Sequence, residues 1–306
     1  MPVVQVSENG DSTWRADGVS PAGARWPAEQ LEQGNILLFQ RSPLNIPAEH
    51  LQYLLCQRQD NTRLHKNISY RPVEDVLRGA PQGADIGQLK TIVRGYSGLV
   101  TEFLTGFLAP YAGKWSLDFA SFRPIEEDGR DLPHRKRNDL LHVDAFPTRP
   151  TKGARILRVF TNINPTAVRV WNTTGGFDKL AQGYAMDAGL GRIARGRSES
   201  GLGRMARGVL TGLGIRAADR SDYDAFMIKF HNYLKENAEF QRGCEKERIE
   251  FPPGCMWLVF TDAVAHAVLS GRFALEQTYI VPREALLRPE SAPISVLEKL
   301  CGKRLA

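Results

Sequence analysis

The chain has 306 residues, 42% hydrophobic and 24% charged, which is enough apolar material for a sizeable core and excludes disorder, collagen-like and coiled-coil compositions. The formal charge of +6 is a mild basic excess that leaves nucleic acid, anionic lipid and small acidic ligands open as partners. No stretch approaches the roughly 18 consecutive apolar residues of a membrane span; Met1–Gln5 lacks a secretory pattern; and Cys56, Cys244, Cys255 and Cys301 lie too far apart for a local Cys-x-x-Cys motif, so reduced cytosolic thiols are expected.

Gly, Pro, Ser and Asp crowd the start of the chain, and residues 1–35 are expected to form a loosely ordered lead-in, followed by a short strand at Asn35–Phe39. Ile46-Pro47-Ala48-Glu49 opens an apolar pattern through Leu51, Tyr53, Leu54 and Leu55 that suits a helix with Pro in its first turn. From Ile86 to Leu108, Leu89, Ile92, Val93, Tyr96, Val100, Phe103, Leu104 and Phe107 recur at three- and four-residue steps, which predicts a longer helix with one apolar face. Residues 46–112 are therefore expected to be helices packed against whatever follows.

After Gly113 the period changes. Trp115–Phe122, Leu140–Phe146, Ala154–Ile163 and Ala167–Asn172 read as strands, and so do Cys255–Thr261, Ala265–Leu269 and Phe273–Val281. Helices first and many strands later, without strand–helix alternation, argue against a doubly wound sheet. The expected fold is α+β with a mainly β core: a double-stranded β-helix, that is a cupin-like jelly roll, with barrel strands in 115–172 and 251–282. A helical, Arg- and Gly-rich insertion over 175–245 separates the two strand groups. It carries a repeat, Gly189–Gly196 and Gly201–Gly208, with a third Gly-Leu-Gly at 212–214, and a helix is expected from Tyr223 to Ala238 behind a Ser221 or Asp222 cap.

The sharpest chemical feature is Leu140-Leu141-His142-Val143-Asp144. Alternate side chains of a strand share a face, so His142 and Asp144 would point the same way, one nitrogen and one oxygen donor. A third ligand must come from another strand, and His266 on the C-terminal strands is the best candidate, with His134 as its rival; His50, His65 and His231 read as helix-surface or capping residues. Two histidines and one carboxylate form the triad that leaves positions open on Fe(II) for a chelating co-substrate and O₂. An arginine could hold the far carboxylate of 2-oxoglutarate bidentately. Arg272, at the expected head of the last strand, is the first choice and Arg158 the second.

His134–Pro165, Phe251–Val281 and the segment from Ser221 to Asn237 resemble the Kdo hydroxylase family, and the likeness extends over most of the chain after about residue 35. The resemblance implies an Fe(II)- and 2-oxoglutarate-dependent dioxygenase that uses O₂, with ascorbate as reductant. It implies hydroxylation of C3 of 3-deoxy-D-manno-oct-2-ulosonic acid (Kdo) in lipopolysaccharide inner core or Kdo-lipid A, giving the 3-hydroxy sugar Ko. Given that substrate, the basic residues around the His-x-Asp segment, Arg135, Arg137, Arg149 and Arg155 with Lys136 and Lys152, become candidate anion-binding groups. The Arg-rich repeat becomes a candidate peripheral contact with an anionic inner-membrane surface, or a solvated lid over the barrel. Two other readings stand beside this one: an oxygenase of the same fold acting on a different anionic substrate, and a non-catalytic jelly-roll module that binds anionic glycan or lipid. A nucleic-acid partner is not expected, because the insertion lacks interleaved aromatics and helix-turn-helix spacing.

Overall fold

The short runs of β-branched and aromatic residues pair across long sequence separations, and the helices cover the outside of the result. The computed structural model describes residues 3–6, 25–57, 67–195 and 220–306. Its strands are β1 (Val3–Gln5), β2 (Ile36–Phe39), β3 (Ile68–Arg71), β4 (Val76–Arg78), β5 (Ser116–Arg123), β6 (Arg155–Asn162), β7 (Arg169–Thr173), β8 (Glu247–Phe251), β9 (Met256–Phe260), β10 (His266–Ser270) and β11 (Ala274–Val281). Eight of them form one sheet in the order β1-β2-β9-β6-β11-β5-β3-β4, and three form a second in the order β10-β7-β8. Apart from the parallel β1–β2 pair, the neighbours run antiparallel.

The two sheets close on a dry layer. Phe160 of β6, Trp171 of β7, Phe251 of β8, Trp257 of β9 and Val268 of β10 belong to one buried cluster. Trp257 stacks on Phe251 with ring centroids 3.9 Å apart, and Trp171 meets both Phe160 and Trp257 edge-on. Each fully buried large side chain of this kind contributes about 1.5–3 kcal/mol relative to exposure. This is the jelly-roll arrangement, with strands from both sides of the 175–245 insertion in one core.

The helices are α1 (Trp26–Glu32), α2 (Ala48–Cys56), α3 (Ile86–Phe107), α4 (Phe177–Tyr184), α5 (Leu190–Ala194), α6 (Asp222–Glu236), α7 (Ala238–Gly243) and α8 (Pro293–Cys301). Asp85 starts α3, its carboxylate accepting from the Gln88 N–H at 2.9 Å. The buried stripe Leu89, Ile92, Val93, Tyr96, Val100, Leu104 and Phe107 then lies on the large sheet. Polar contacts fix its register: the Tyr96 hydroxyl is 3.2 Å from Thr161 Oγ1 on β6, and Thr101 Oγ1 is 2.8 Å from the Tyr279 hydroxyl on β11.

Helix α6 is held by a capping box between Ser221 and Asp224. The same Asp224 carboxylate also accepts from the Thr151 N–H at 2.7 Å and the Lys152 N–H at 3.1 Å. One side chain thus starts the helix and clasps it to the loop that follows the His-x-Asp segment. The Tyr223 N–H adds a bond to the Leu305 carbonyl near the C-terminus.

The structure departs from the sequence expectations in three places. The lead-in carries α1, whose Ala28 and Leu31 are fully buried. The buried Glu32 anchors it, accepting from the Tyr111 hydroxyl at 2.6 Å and from the Leu287 and Arg288 N–H groups. The segment 140–146 is extended but makes only one isolated bridge, so it is not a ladder strand. Strands β3, β4 and β8 and helix α8 were not expected; β8 lies where the insertion gives way to the barrel. Most of the Gly-Leu-Gly-Arg repeat, from Gly196 onward, lies outside the described residues, as does His65. Among the described residues no helix is long and apolar enough to cross a membrane.

Candidate metal centre and active-site cavity

The bridge that replaces the expected strand brings the two distant halves of the site together. The His142 N–H donates to the His266 carbonyl at 3.1 Å, and the His266 N–H returns a bond to the His142 carbonyl at 2.9 Å. Two residues on, the Asp144 N–H donates to the Thr261 carbonyl at 2.8 Å. The backbone is therefore pinned at every candidate ligand. Alternation survives without a ladder: Leu141 and Val143 enter the apolar core, while His142 and Asp144 face the other way.

Ligand atoms of His142, Asp144 and His266 all lie within 4.8 Å of one another, and all three residues are buried. Each imidazole is oriented by a carbonyl. His142 Nδ1 is 2.7 Å from the Leu140 carbonyl and His266 Nδ1 is 2.9 Å from the Val264 carbonyl. Carbonyls only accept, so each Nδ1 carries the hydrogen and each Nε2 keeps a lone pair for the centre. Trp171 stacks on the His266 ring at 5.0 Å and limits its rotation. Burial depresses both imidazole pKa values, helped at His142 by Lys235, so both rings are neutral at pH 7. Burial alone would raise the Asp144 carboxyl, but the neighbouring Arg158 guanidinium outweighs it and holds the group well below the usual carboxylate range.

One oxygen of this carboxylate points to a metal. Asp144 Oδ2 is buried and accepts no hydrogen bond, although Arg158 Nε lies 3.2 Å away at unfavourable geometry. Two imidazole lone pairs and a carboxylate oxygen without a hydrogen bond, all on one face, fit a divalent iron ion, which these three residues would hold beside the cavity.

That cavity has a volume of about 450 Å³. Its inner wall is made by alternate residues of two strands, Arg158 and Phe160 on β6 and Arg169 and Trp171 on β7. Its outer wall is a ridge of α6, Ile228, His231, Asn232 and Lys235, spaced by three and four residues. Six cationic side chains line it (Arg123, Arg135, Lys136, Arg158, Arg169 and Lys235), and Asp144 is the one carboxylate among the lining residues. The inner arginines are locked by acids set behind the wall. Arg158 Nη1 is 3.1 Å from Glu276, Arg123 Nε donates to Glu276 at 2.8 Å, and Arg169 is 3.6 Å from Glu127. Gly271 permits the last of these to fit: its φ is +112°, a Cβ there would stand 2.8 Å from the Arg169 Cα, and its carbonyl accepts from Arg169 Nη1 at 2.6 Å. Such a cavity favours ligands with more than one negative charge.

Of the residues expected from sequence, His142, Asp144 and His266 meet at the centre, and Arg158 and Arg135 line the cavity. Arg272 does not line it. Strand β11 begins only at Ala274, so Arg272 sits in the β10–β11 connection with its guanidinium 4.3 Å from the Phe273 ring centroid. Three of the expected substrate-binding arginines are likewise engaged elsewhere: Arg137 pairs with Asp139, Arg149 with Asp118 between Phe119 and Phe146, and the fully buried Arg155 with Asp262. Arg135 reaches the cavity mouth while paired with Glu236 at 2.5 Å. The rival ligand His134 is spent on the Lys235 carbonyl at 2.8 Å.

His231, read as a helix-surface residue, is instead a wall residue. Its Nδ1 is 2.8 Å from the Val143 carbonyl and its ring is 4.8 Å from that of His142. Burial, with Lys235 nearby, lowers its pKa to about 4. The α6 apolar period could have exposed it, since His231, Asn232 and Lys235 interrupt the stripe that Phe226, Met227, Phe230 and Leu234 bury. Arg123 and Arg169 had no local signal, because only strand pairing places them here.

Two comparisons with known proteins place the chain in a family. The model of the family described as 3-deoxy-D-manno-oct-2-ulosonic acid (Kdo) hydroxylase matches residues 14–304. Crystal structures of the Kdo hydroxylase KdoO, a non-heme Fe(II) alpha-ketoglutarate-dependent dioxygenase, superpose closely. The complex with alpha-ketoglutarate and Fe(III) is 33% identical with a TM-score of 0.83, and the match covers 100% of this chain and 98% of that one. The apo form gives 33% and 0.83, covering 100% and 97%. The complex with succinate and Fe(III) gives 33% and 0.82, again covering 100% and 97%. No curated protein sequence matches the chain.

Proposed function

The chain belongs to the Kdo hydroxylase family, and from that membership we propose that it hydroxylates C3 of Kdo on a lipid A-linked acceptor, giving Ko. It is an Fe(II)/2-oxoglutarate-dependent dioxygenase. The observation that carries the reading is the His142–Asp144–His266 cluster, with its unsatisfied carboxylate oxygen, opening onto a cation-lined cavity. When bound, Fe(II) and 2-oxoglutarate would activate O₂, the oxidant: two of its four electrons come from 2-oxoglutarate, which goes to succinate and CO₂, and two from the substrate C–H bond, with one oxygen atom in succinate and the other in the new hydroxyl.

The chain's own residues do the positioning. The Leu140 and Val264 carbonyls hold the two Nε2 atoms toward the centre, and Arg158 keeps Asp144 ionised beside them. Phe160 and Trp171 give the inner wall an apolar surface that limits water near the reacting carbon. The cations match two acidic ligands, dianionic 2-oxoglutarate and the Kdo carboxylate, better than they match a neutral sugar. We assign the far carboxylate of 2-oxoglutarate to Arg158 in preference to Arg272, because only the former lines the cavity. With iron saturating and O₂ excluded, Arg158→Met should weaken 2-oxoglutarate binding roughly ten- to a hundredfold, the worth of one or two charged hydrogen bonds. Arg272→Met should leave it unchanged; the opposite pattern would reverse the assignment.

Purified protein given Fe(II), 2-oxoglutarate and ascorbate as reductant should convert Kdo-lipid A to a product one oxygen atom heavier, with succinate formed in step. Succinate without a mass shift on this acceptor would keep the chemistry and discard the substrate. Because Kdo-lipid A is a membrane lipid, the proposal extends to the cytoplasmic face of the inner membrane, with the Arg-rich stretch 189–214 as a peripheral contact to anionic headgroups.

A further inference from the structure

Lys235 presents a charge problem that the protein alone does not solve. The residue is 3% exposed, at the last turn of α6. Among the described residues its ammonium has one hydrogen bond, to the Arg135 carbonyl at 3.2 Å, and no carboxylate within ion-pair distance. Arg135, beside it, is already matched by Glu236. A buried ammonium with one neutral acceptor is costly unless a counter-charge arrives. Burial accordingly pulls its pKa down to about 8, against the pull of Asp144 and Asp139. The single carboxylate lining the cavity, Asp144, is committed to the metal face and Arg158. The missing anion must come from a ligand.

The position of Lys235 says which ligand. It shares the outer wall with Asn232 and His231, opposite the β6–β7 wall that carries Arg158 and Arg169. His231 is one helical turn before it, and the His231 ring is 4.8 Å from the metal-face imidazole of His142. An anion on Lys235 would therefore sit about one helical pitch, roughly 5 Å, along the wall from His231, the wall residue that touches the metal-face imidazole. In Kdo the carboxylate is attached to C2, and C3 is the next ring carbon. A carboxylate held on this wall would keep C3, the carbon next to its point of attachment, on the side of the cavity that carries the centre.

We infer that Lys235, with Asn232 beside it, is the receptor for the substrate carboxylate and so a specificity-determining residue of the reaction. This rests on the Kdo reading above. It also gives the 175–245 insertion a role: α6 supplies the wall that reads the sugar acid, whereas the extended 140–146 segment and the barrel strands supply the metal and co-substrate groups.

The test is equilibrium binding to the full chain loaded with Fe(II) and 2-oxoglutarate without O₂, using the methyl glycoside of Kdo and the carboxyl methyl ester of the same glycoside. The wild type should prefer the acid by roughly ten- to a hundredfold, the range of a charge-assisted hydrogen bond. Lys235→Met should bring that preference close to unity, and Lys235→Arg should keep it. Thermal unfolding checks that the Met variant is folded, which is expected because it removes a poorly paired buried cation. A Met variant that keeps the full preference for the acid overturns the assignment, and so does a wild type that binds acid and ester alike. A wild type that binds neither, and does not oxygenate Kdo-lipid A, removes the Kdo reading itself and the carboxylate assignment with it.

Discussion

His142→Ala and Asp144→Ala should each strip the protein of stoichiometric iron and lower turnover by about a thousandfold or more, that is by at least ~4 kcal/mol of lost transition-state stabilisation. The proposed centre has three candidate protein ligands and no spare: among the described residues no other His, Cys, Asp or Glu joins the cluster. His231 cannot step in, because its Nδ1 faces the Val143 carbonyl and its ring meets His142 edge-on. The two variants should differ in the metal-free state. Removing His142 deletes a neutral ring, whereas removing Asp144 leaves Arg158 relying on Glu276 alone, 3.1 Å away. Asp144→Ala should thus destabilise the metal-free protein more than its small volume change suggests. Metal content by elemental analysis, read beside turnover, is the check. A variant that retains full iron and full activity would remove that residue from the metal centre.

The same geometry shows what a single sequence can reveal. His142 and Asp144 were legible because a two-residue step on extended backbone puts both on one face, and that step survives even though the segment forms one bridge rather than a strand. His266 was legible because it lies in an apolar run whose burial leaves a histidine few roles. Long periodic elements such as α3 were legible to within a residue or two at each end. The cavity's other half was not. Arg123, Arg169 and Glu276 meet because β5, β7 and β11 are brought together by closure of the sheets, and nothing local in their segments records that closure. Short strands such as β3 and β4 carry too few residues for a period. In α1 the signal, a Pro-led turn with Leu31 four residues on, was lost in Gly- and Pro-rich surroundings. Basic residues were the least legible: Arg135, Arg137, Arg149 and Arg155 look alike in sequence, and only their partners separate a cavity cation from a structural one.

Arg155 is the extreme case and gives the second large effect. Asp262→Ala should lower stability by about 3–5 kcal/mol, the range for a buried ion pair that loses one partner. Neither side chain sees solvent: Arg155 is 0% and Asp262 is 1% exposed. Arg155 Nε donates to Asp262 Oδ2 at 2.8 Å, and its guanidinium lies 4.0 Å from the Phe260 ring centroid. Its Nη1 and Nη2 have no hydrogen-bond partner, so the Asp262 carboxylate is its main compensation. Without it a full positive charge stays in the core, and the melting temperature should fall by about 10 °C, at roughly 2–4 °C per kcal/mol for a chain of this size or somewhat smaller. Replacing both partners, Arg155→Met with Asp262→Leu, should recover most of the loss, because an apolar pair of similar volume has no charge to desolvate. The site should feel the single variant as well. Asp262 follows Thr261, whose carbonyl accepts the Asp144 N–H at 2.8 Å, so loosening this turn loosens a metal ligand. The double variant should restore iron binding together with stability. If Asp262→Ala instead costs under about 1 kcal/mol, the range of an exposed pair, water reaches Arg155 and the pair is not part of the frame that holds the metal centre.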